Sequence, residues 1–227
     1  MTAQPPDSPV SEGVRSLEVR WIFPGRLPGG VARWFGRFPA GLESRQDAYL
    51  LDPPVRGVSV KVRGGGPFEV KMYLGSPGIL DVAGRARGRM ECWQKWSFPC
   101  DPPGQGIGEA AGWRLVRKTR RVSRYLLASG SWLGGLPGPG GEPGCAVEVT
   151  EVRVRGQAWW TLGLEASGPA GTLRGQLEAT AALVFADAPP ARVEFGTGDS
   201  RSYAEWLRSW PSAGRPRWQP GSAGPGR

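Results

Sequence analysis

Ionisable side chains in this chain recur two residues apart, inside short stretches whose intervening positions are largely apolar. The sets are Glu18 and Arg20; Lys61 and Arg63; Glu69, Lys71 and Tyr73; Glu91, Trp93 and Lys95; Lys118 and Arg120; Glu148 and Thr150; Gly163 and Glu165. In a β-strand residues i and i+2 share a face, so each set presents its charges together. All four lysines of the chain belong to these sets. Two readings are open. Strands with one face in water would pair mixed charges across neighbours, for about 0.2–1 kcal/mol each. Alternatively, the charged faces line the inside of a barrel, which is costly if dry and must be hydrated or filled by a polyanion with a cation. Lys and Arg would then grip phosphate oxygens, and the carboxylates would hold a hard, oxygen-preferring divalent ion. The opposite faces favour the barrel: Val60 and Val62, Val70 and Met72, Val147 and Val149, Trp160, Leu162 and Leu164 are all apolar.

What the chain lacks narrows its chemistry. Its 227 residues include no histidine, which excludes Ser-His-Asp and Cys-His nucleophiles, His-ligated zinc and imidazole bases. Chemistry here must use carboxylates, Lys/Arg, hydroxyls, or a metal held by oxygen. Twenty-nine Lys+Arg against 20 Asp+Glu give a net charge of +9, which fits an anionic partner. Three cysteines without a CxxC spacing argue against a disulfide scaffold and for a reducing compartment. The first residues carry no apolar leader core, and no apolar run approaches the roughly 18 residues of a membrane span. The expectation is a soluble, cytoplasmic protein without a membrane partner.

The elements that must position these residues read mainly as strands: Ser16–Phe23, Gln46–Leu51, Val58–Arg63, Phe68–Leu74, Arg89–Phe98, Trp113–Arg121, Ala146–Arg155 and Ala158–Ala166. Thr172–Phe185 has helical spacing through Leu173, Leu177, Ala181 and Val184. Ser202–Trp210 reads as a short helix, with Ser202 as N-cap before Glu205. The 36 Gly and 23 Pro supply many turns, while 11 Trp and 7 Phe are too many for a disordered chain. The expected organisation is a disordered start (1–14), one domain over 15–210 interrupted by a Gly/Pro-rich loop (134–144), and a flexible tail (211–227).

The order of these stretches resembles the CYTH-like superfamily, the triphosphate tunnel metalloenzymes. The pieces are SLEVRWIF (16–23), RQDAYLL (45–51), VSVKVRGGGPFEVKMY (58–73), RLVRKTRR (114–121), VEVTEVRVRGQAWWTLGLEASG (147–168) and SYAEWL (202–207). The resemblance implies a β-dominated α+β fold: an antiparallel eight-stranded tunnel barrel with short peripheral helices. It further implies a triphosphate, polyphosphate or nucleotide ligand with Mg²⁺ or Mn²⁺, in a monomer or homodimer. Carried over residue by residue, Glu18 and Glu165 would hold the metal, with Glu148, on the strand before, as a replacement ligand. Lys61, Arg63, Lys71, Lys118 and Arg120 would clamp the phosphates and stabilise charge on the leaving group. Arg20 and Lys95 would add substrate contacts, with Glu69 and Glu91 orienting the cations. Two departures stand out. The family's opening Glu-x-Glu-x-Lys reads Glu18-Val19-Arg20-Trp21-Ile22, and its late Glu-x-Glu reads Gly163-Leu164-Glu165. Phosphate binding is therefore better supported than metal-assisted hydrolysis, and a non-catalytic binder is the alternative to a triphosphate hydrolase.

Other features carry blander expectations. The basic run from Arg114 to Arg124 could serve a nucleic-acid-binding module, but as a strand it sends Lys118 and Arg120 one way and Arg117 and Arg121 the other. Trp93, Trp96, Trp159 and Trp160 read as core or girdle residues. Arg85, Arg87 and Arg89 read as a solvated hairpin edge, and RGGGP (63–67) as a turn.

Overall fold

In a computed structural model of the chain, the described residues are 13–51, 57–64, 66–99, 112–134, 143–190 and 193–210. The alternating stretches form strands: β1 (Val14–Pro24), β2 (Gly41–Leu50), β3 (Val58–Arg63), β4 (Phe68–Val82), β5 (Ala86–Phe98), β6 (Trp113–Leu126), β7 (Ser131–Gly134), β8 (Gly144–Val154) and β9 (Gln157–Ser167). Three helices join them: α1 (Gly29–Phe35), α2 (Leu173–Val184) and α3 (Tyr203–Arg208). Eight strands follow one another as β2-β3-β4-β5-β1-β9-β8-β6, and β6 pairs back onto β2 from Gly41↔Val122 to Leu50↔Trp113. Every pairing is antiparallel, so the sheet closes into the eight-stranded barrel that the sequence leads one to expect. β7 joins β6 beyond the point where β2 stops, from Ser123↔Gly134 to Leu126↔Ser131.

The main apolar core lies outside this barrel. Outward-facing Leu17, Val19 and Trp21 of β1, Val147 and Val149 of β8, and Leu162 and Leu164 of β9 are all buried. They belong to one core cluster with Leu177, Ala181 and Val184 of α2 and with Val31, Trp34 and Phe35 of α1. Phe195 meets Trp21 edge-on at 5.5 Å and Phe185 at 5.5 Å, knitting the helices to the strands. Each fully buried side chain of this size stabilises by about 1.5–3 kcal/mol. A second, smaller cluster lies at one end of the barrel's interior: Ile22, Tyr49, Val116, Val152 and Val154 surround Trp206 and Leu207 of α3. That helix plugs the barrel end. Its N-cap is as expected, with the Glu205 amide donating to Ser202 Oγ.

Several sequence expectations need correction. Apolar packing covers only part of the barrel's outside: on β3 and β4, Val60 and Val70 are half-buried and Met72 is exposed. β4 does not stop at Leu74. It bulges at Gly75–Gly78, both glycines holding positive φ, and then resumes to Val82. α1 was hidden because it opens with two glycines and has no side-chain cap, so tertiary burial of its apolar face sustains it. Arg85 and Arg87 do lie exposed at the β4–β5 hairpin, but Arg89 turns inward, to Glu91 and Glu205. Of the segments expected to be disordered or looped, 1–12, 135–142 and 211–227 fall outside the described residues, and Val14 already belongs to β1.

Candidate functional site

The inward faces of the strands enclose a cavity of about 800 Å³, counted out into solvent at its opening. Eight cations line it (Arg20, Arg45, Lys61, Lys71, Arg89, Lys118, Arg120 and Arg201) against five carboxylates (Glu18, Glu69, Glu91, Glu148 and Glu165). Strand register explains the arrangement. Glu91, Glu18 and Glu165 are direct neighbours across β5, β1 and β9, a row of like charges that would repel if unpaired. Lys71 reaches in from β4 to meet two of them, bonding Glu18 and standing 3.7 Å from Glu165. Beside that row, Glu148 lies between two guanidiniums: Arg20 Nη1 is 2.6 Å away and Arg120 Nε donates at 2.8 Å. Across the barrel, Glu69 takes Lys61 at 2.7 Å and Arg63 at 3.0 Å.

The floor of the cavity is built around Lys118. Its Nζ donates to Asp47 at 2.8 Å and to the Tyr49 hydroxyl at 2.6 Å, and lies 4.0 Å from the centre of the Tyr203 ring. Tyr203, at the start of α3, also faces the Arg20 guanidinium at 4.7 Å and shares a hydrogen bond with Thr161 Oγ1. The helix that plugs the barrel thereby completes the polar site.

Burial and pairing set the ionisation. Burial penalises the Glu148 carboxylate, but Arg120 and Arg20 outweigh it and hold the group well below the usual carboxylate range. Asp47, against Lys118 and Lys61, and Glu69, against Lys61 and Arg63, are lowered in the same way despite burial. Glu91 goes the other way: burial raises it, and Arg89 only partly offsets this. Burial pulls the Lys118 ammonium down to about 7, against the attraction of Asp47 and with help from Lys61 and Arg45. Arg20 and Arg120 pass the same burial penalty, yet Glu148 keeps both above their ordinary range.

Of the twelve residues singled out from sequence, ten line this cavity: Arg20, Lys61, Lys71, Lys118, Arg120, Glu18, Glu69, Glu91, Glu148 and Glu165. Arg63 and Lys95 do not; among the described residues Arg63 touches the site only through Glu69, and Lys95 sits opposite Lys71 in the β4–β5 register. Sequence reasoning missed Arg45 and Tyr49, although Glu43, Arg45, Asp47 and Tyr49 alternate like the other sets. Starting that strand at Gln46 left Arg45 outside it, whereas Tyr49 lay within the expected strand and was given no role. It also gave Trp93 only a packing role, whereas its indole donates to Glu91 at 3.2 Å on the cavity wall. Arg201 and Tyr203 carry no periodic signal, because the segment leading into α3 brings them in rather than a strand.

The carboxylates implied as metal ligands do not fit a divalent ion as they are arranged. Glu148 accepts from two arginines, and Lys71 stands between Glu18 and Glu165. Among the described residues no three His, Cys, Asp or Glu side chains converge to hold a metal. What the arrangement can do is surround an anion with fixed donors. Among the described residues, no helix is long and apolar enough to cross a membrane.

No protein-family model matches the chain, and no curated protein does. Among solved structures, a conserved hypothetical protein from Pyrococcus furiosus is similar at 16% identity and a TM-score of 0.45, over 83% of this chain and 98% of that one. The RNA triphosphatase Pct1 of S. pombe, in complex with the Spt5 CTD, is similar at 7% identity and a TM-score of 0.39, over 78% and 80%. At these values neither likeness bears on function.

Proposed function

We propose that this chain is a CYTH-like tunnel protein whose cavity binds a phosphate chain: a triphosphate, a polyphosphate or the phosphates of a nucleotide. The observation that carries this reading is the convergence of eight Lys and Arg side chains, from six strands and the approach to α3, on one cavity. Charge-assisted donors that converge in a partly buried site are the arrangement a chain of phosphate oxygens requires. Behind the lining, Asp47 and Glu43 pair with Lys118, Arg45 and Arg120. These carboxylates keep the cations dense and oriented before a ligand arrives. The inward direction of Lys118 and Arg120 speaks against a nucleic-acid surface, since only Arg117 and Arg121 of that central run point to solvent. If the bound anion is hydrolysed, Lys61, Lys71, Lys118 and Arg120 are the groups placed to stabilise charge on departing oxygens.

Titration calorimetry with sodium tripolyphosphate tests the reading. Lys61→Ala should weaken binding at least tenfold, about 1.4 kcal/mol. Absence of binding by the unaltered chain at millimolar ligand would refute the proposal. Phosphate release from tripolyphosphate and nucleoside triphosphates, with and without Mg²⁺, separates a hydrolase from a binding protein.

A further inference from the structure

Arg20 and Gly163 face each other directly across the β1–β9 pairing. A Cβ at position 163 would lie 2.7–2.8 Å from the guanidinium carbon and both terminal nitrogens of Arg20, so a side chain there would force the guanidinium out of its present place. Glycine within a strand weakens it and marks a close approach, and here the approaching group is a cation. The guanidinium is then fixed on other sides. Nη1 donates to Glu148 Oε1 at 2.6 Å and to Thr161 Oγ1 at 3.1 Å, while the Tyr203 ring lies 4.7 Å away. Both hydrogen bonds use Nη1, so that among the described residues the donors of Nε and Nη2 remain for a ligand oxygen, in a side chain that lines the cavity.

The carboxylates that could have gathered a metal are each engaged by a cation. Glu148 is committed to Arg20 and Arg120, and Glu18 to Lys71. We infer that Arg20, seated on Gly163 and tied to Glu148, is a built-in cation that supplies fixed positive charge in place of a divalent ion, so that the cavity holds its phosphate chain without metal. This inference rests on the phosphate-chain reading above. A guanidinium suits the part because it is always charged, weakly hydrated and presents parallel donors matched to phosphate oxygens.

The test is calorimetric titration of the whole chain with sodium tripolyphosphate, once in EDTA and once in excess Mg²⁺. The expected result is binding in EDTA that is no weaker than in Mg²⁺. Binding only in Mg²⁺ would overturn the inference and leave the phosphate-chain reading intact; no binding in either buffer would overturn both. Gly163→Ala tests the seat itself. Its methyl group displaces Arg20, so affinity in EDTA should fall at least tenfold while the circular dichroism of the unliganded protein is unchanged. A folded Gly163→Ala with undiminished affinity would also overturn the inference. Should that variant not fold, Arg20→Gln is read in the same way, with the same tenfold loss expected.

Discussion

Lys118 shows how a single side chain can be held between two charge states. Asp47, Tyr49, Tyr203, Lys61 and Arg45 surround it, and burial brings its pKa to about 7 from the ordinary 10.5. Between those two values the unfolded chain binds the proton that the folded one has released, so this group's contribution to stability rises with pH across that window. A polyanion favours the ammonium form and reverses the release. Tripolyphosphate binding near pH 8 should therefore take up more protons in the unaltered chain than in Lys118→Met, measured in buffers of different ionisation enthalpy. Equal uptake would show that Lys118 does not titrate on binding. Glu148 makes the opposite kind of case. Glu148→Gln leaves two buried guanidiniums short of a partner and should cost about 3 kcal/mol in urea unfolding. It also removes a negative charge from the cavity, so tripolyphosphate should bind more tightly to this less stable protein; weaker binding would contradict the placement. Since Glu148, Asp47 and Glu69 are held below the usual carboxylate range, the stability they confer is complete above about 4.5 and drains as pH falls. Glu91, raised by burial, works against that trend.

Among the elements, α3 does more than its six residues suggest. A helix this short does not hold itself in water, so its stability comes from Trp206 and Leu207 packed against Ile22, Val116, Val152 and Val154. In return it closes the barrel end and lays Tyr203 against Lys118 and Arg20. Trp206→Ala should cost about 3–5 kcal/mol in denaturant unfolding and weaken tripolyphosphate binding with it. A cost under about 1 kcal/mol would mean that the helix is not the plug described. Ser202→Ala, which removes only the cap, should cost about 1 kcal/mol. The β4 bulge is a second case of an element shaped by local chemistry. Gly75 and Gly78 adopt positive φ there, and the strand regains its register with β5 at Met90.

At the scale of the molecule, the barrel reverses the usual order of layers. Its apolar core lies between the outer strand faces and α1 and α2, and its charged face turns inward. Such an interior is stable because almost every charge is met by another across the strands. A bound polyanion adds to this by linkage, and tripolyphosphate at 100 times its Kd should stabilise the fold by about 2.7 kcal/mol. For a domain of this size that is a rise of roughly 5–10 °C in Tm. Added NaCl should erode the shift, since the attraction is electrostatic. A Tm indifferent to tripolyphosphate at all concentrations would contradict a cavity built for it.

The period-2 placement of charge was enough to show that strands carry one ionic and one apolar face, because side-chain alternation is a local property of the extended backbone. It also made ten of the cavity's residues legible, Lys61, Lys71 and Glu165 among them, together with the N-cap at Ser202. Which face turns inward is not local. It depends on closure of β6 onto β2 and on which outer surface α1 and α2 cover. The same holds for Arg201 and Tyr203, which reach the cavity only because the chain returns after α2 to plug the barrel. Gly163 is the sharpest example. In the sequence it is a missing carboxylate; in the fold it is the space that Arg20 occupies, because strand pairing sets position 20 opposite position 163 and a guanidinium needs the volume a Cβ would fill.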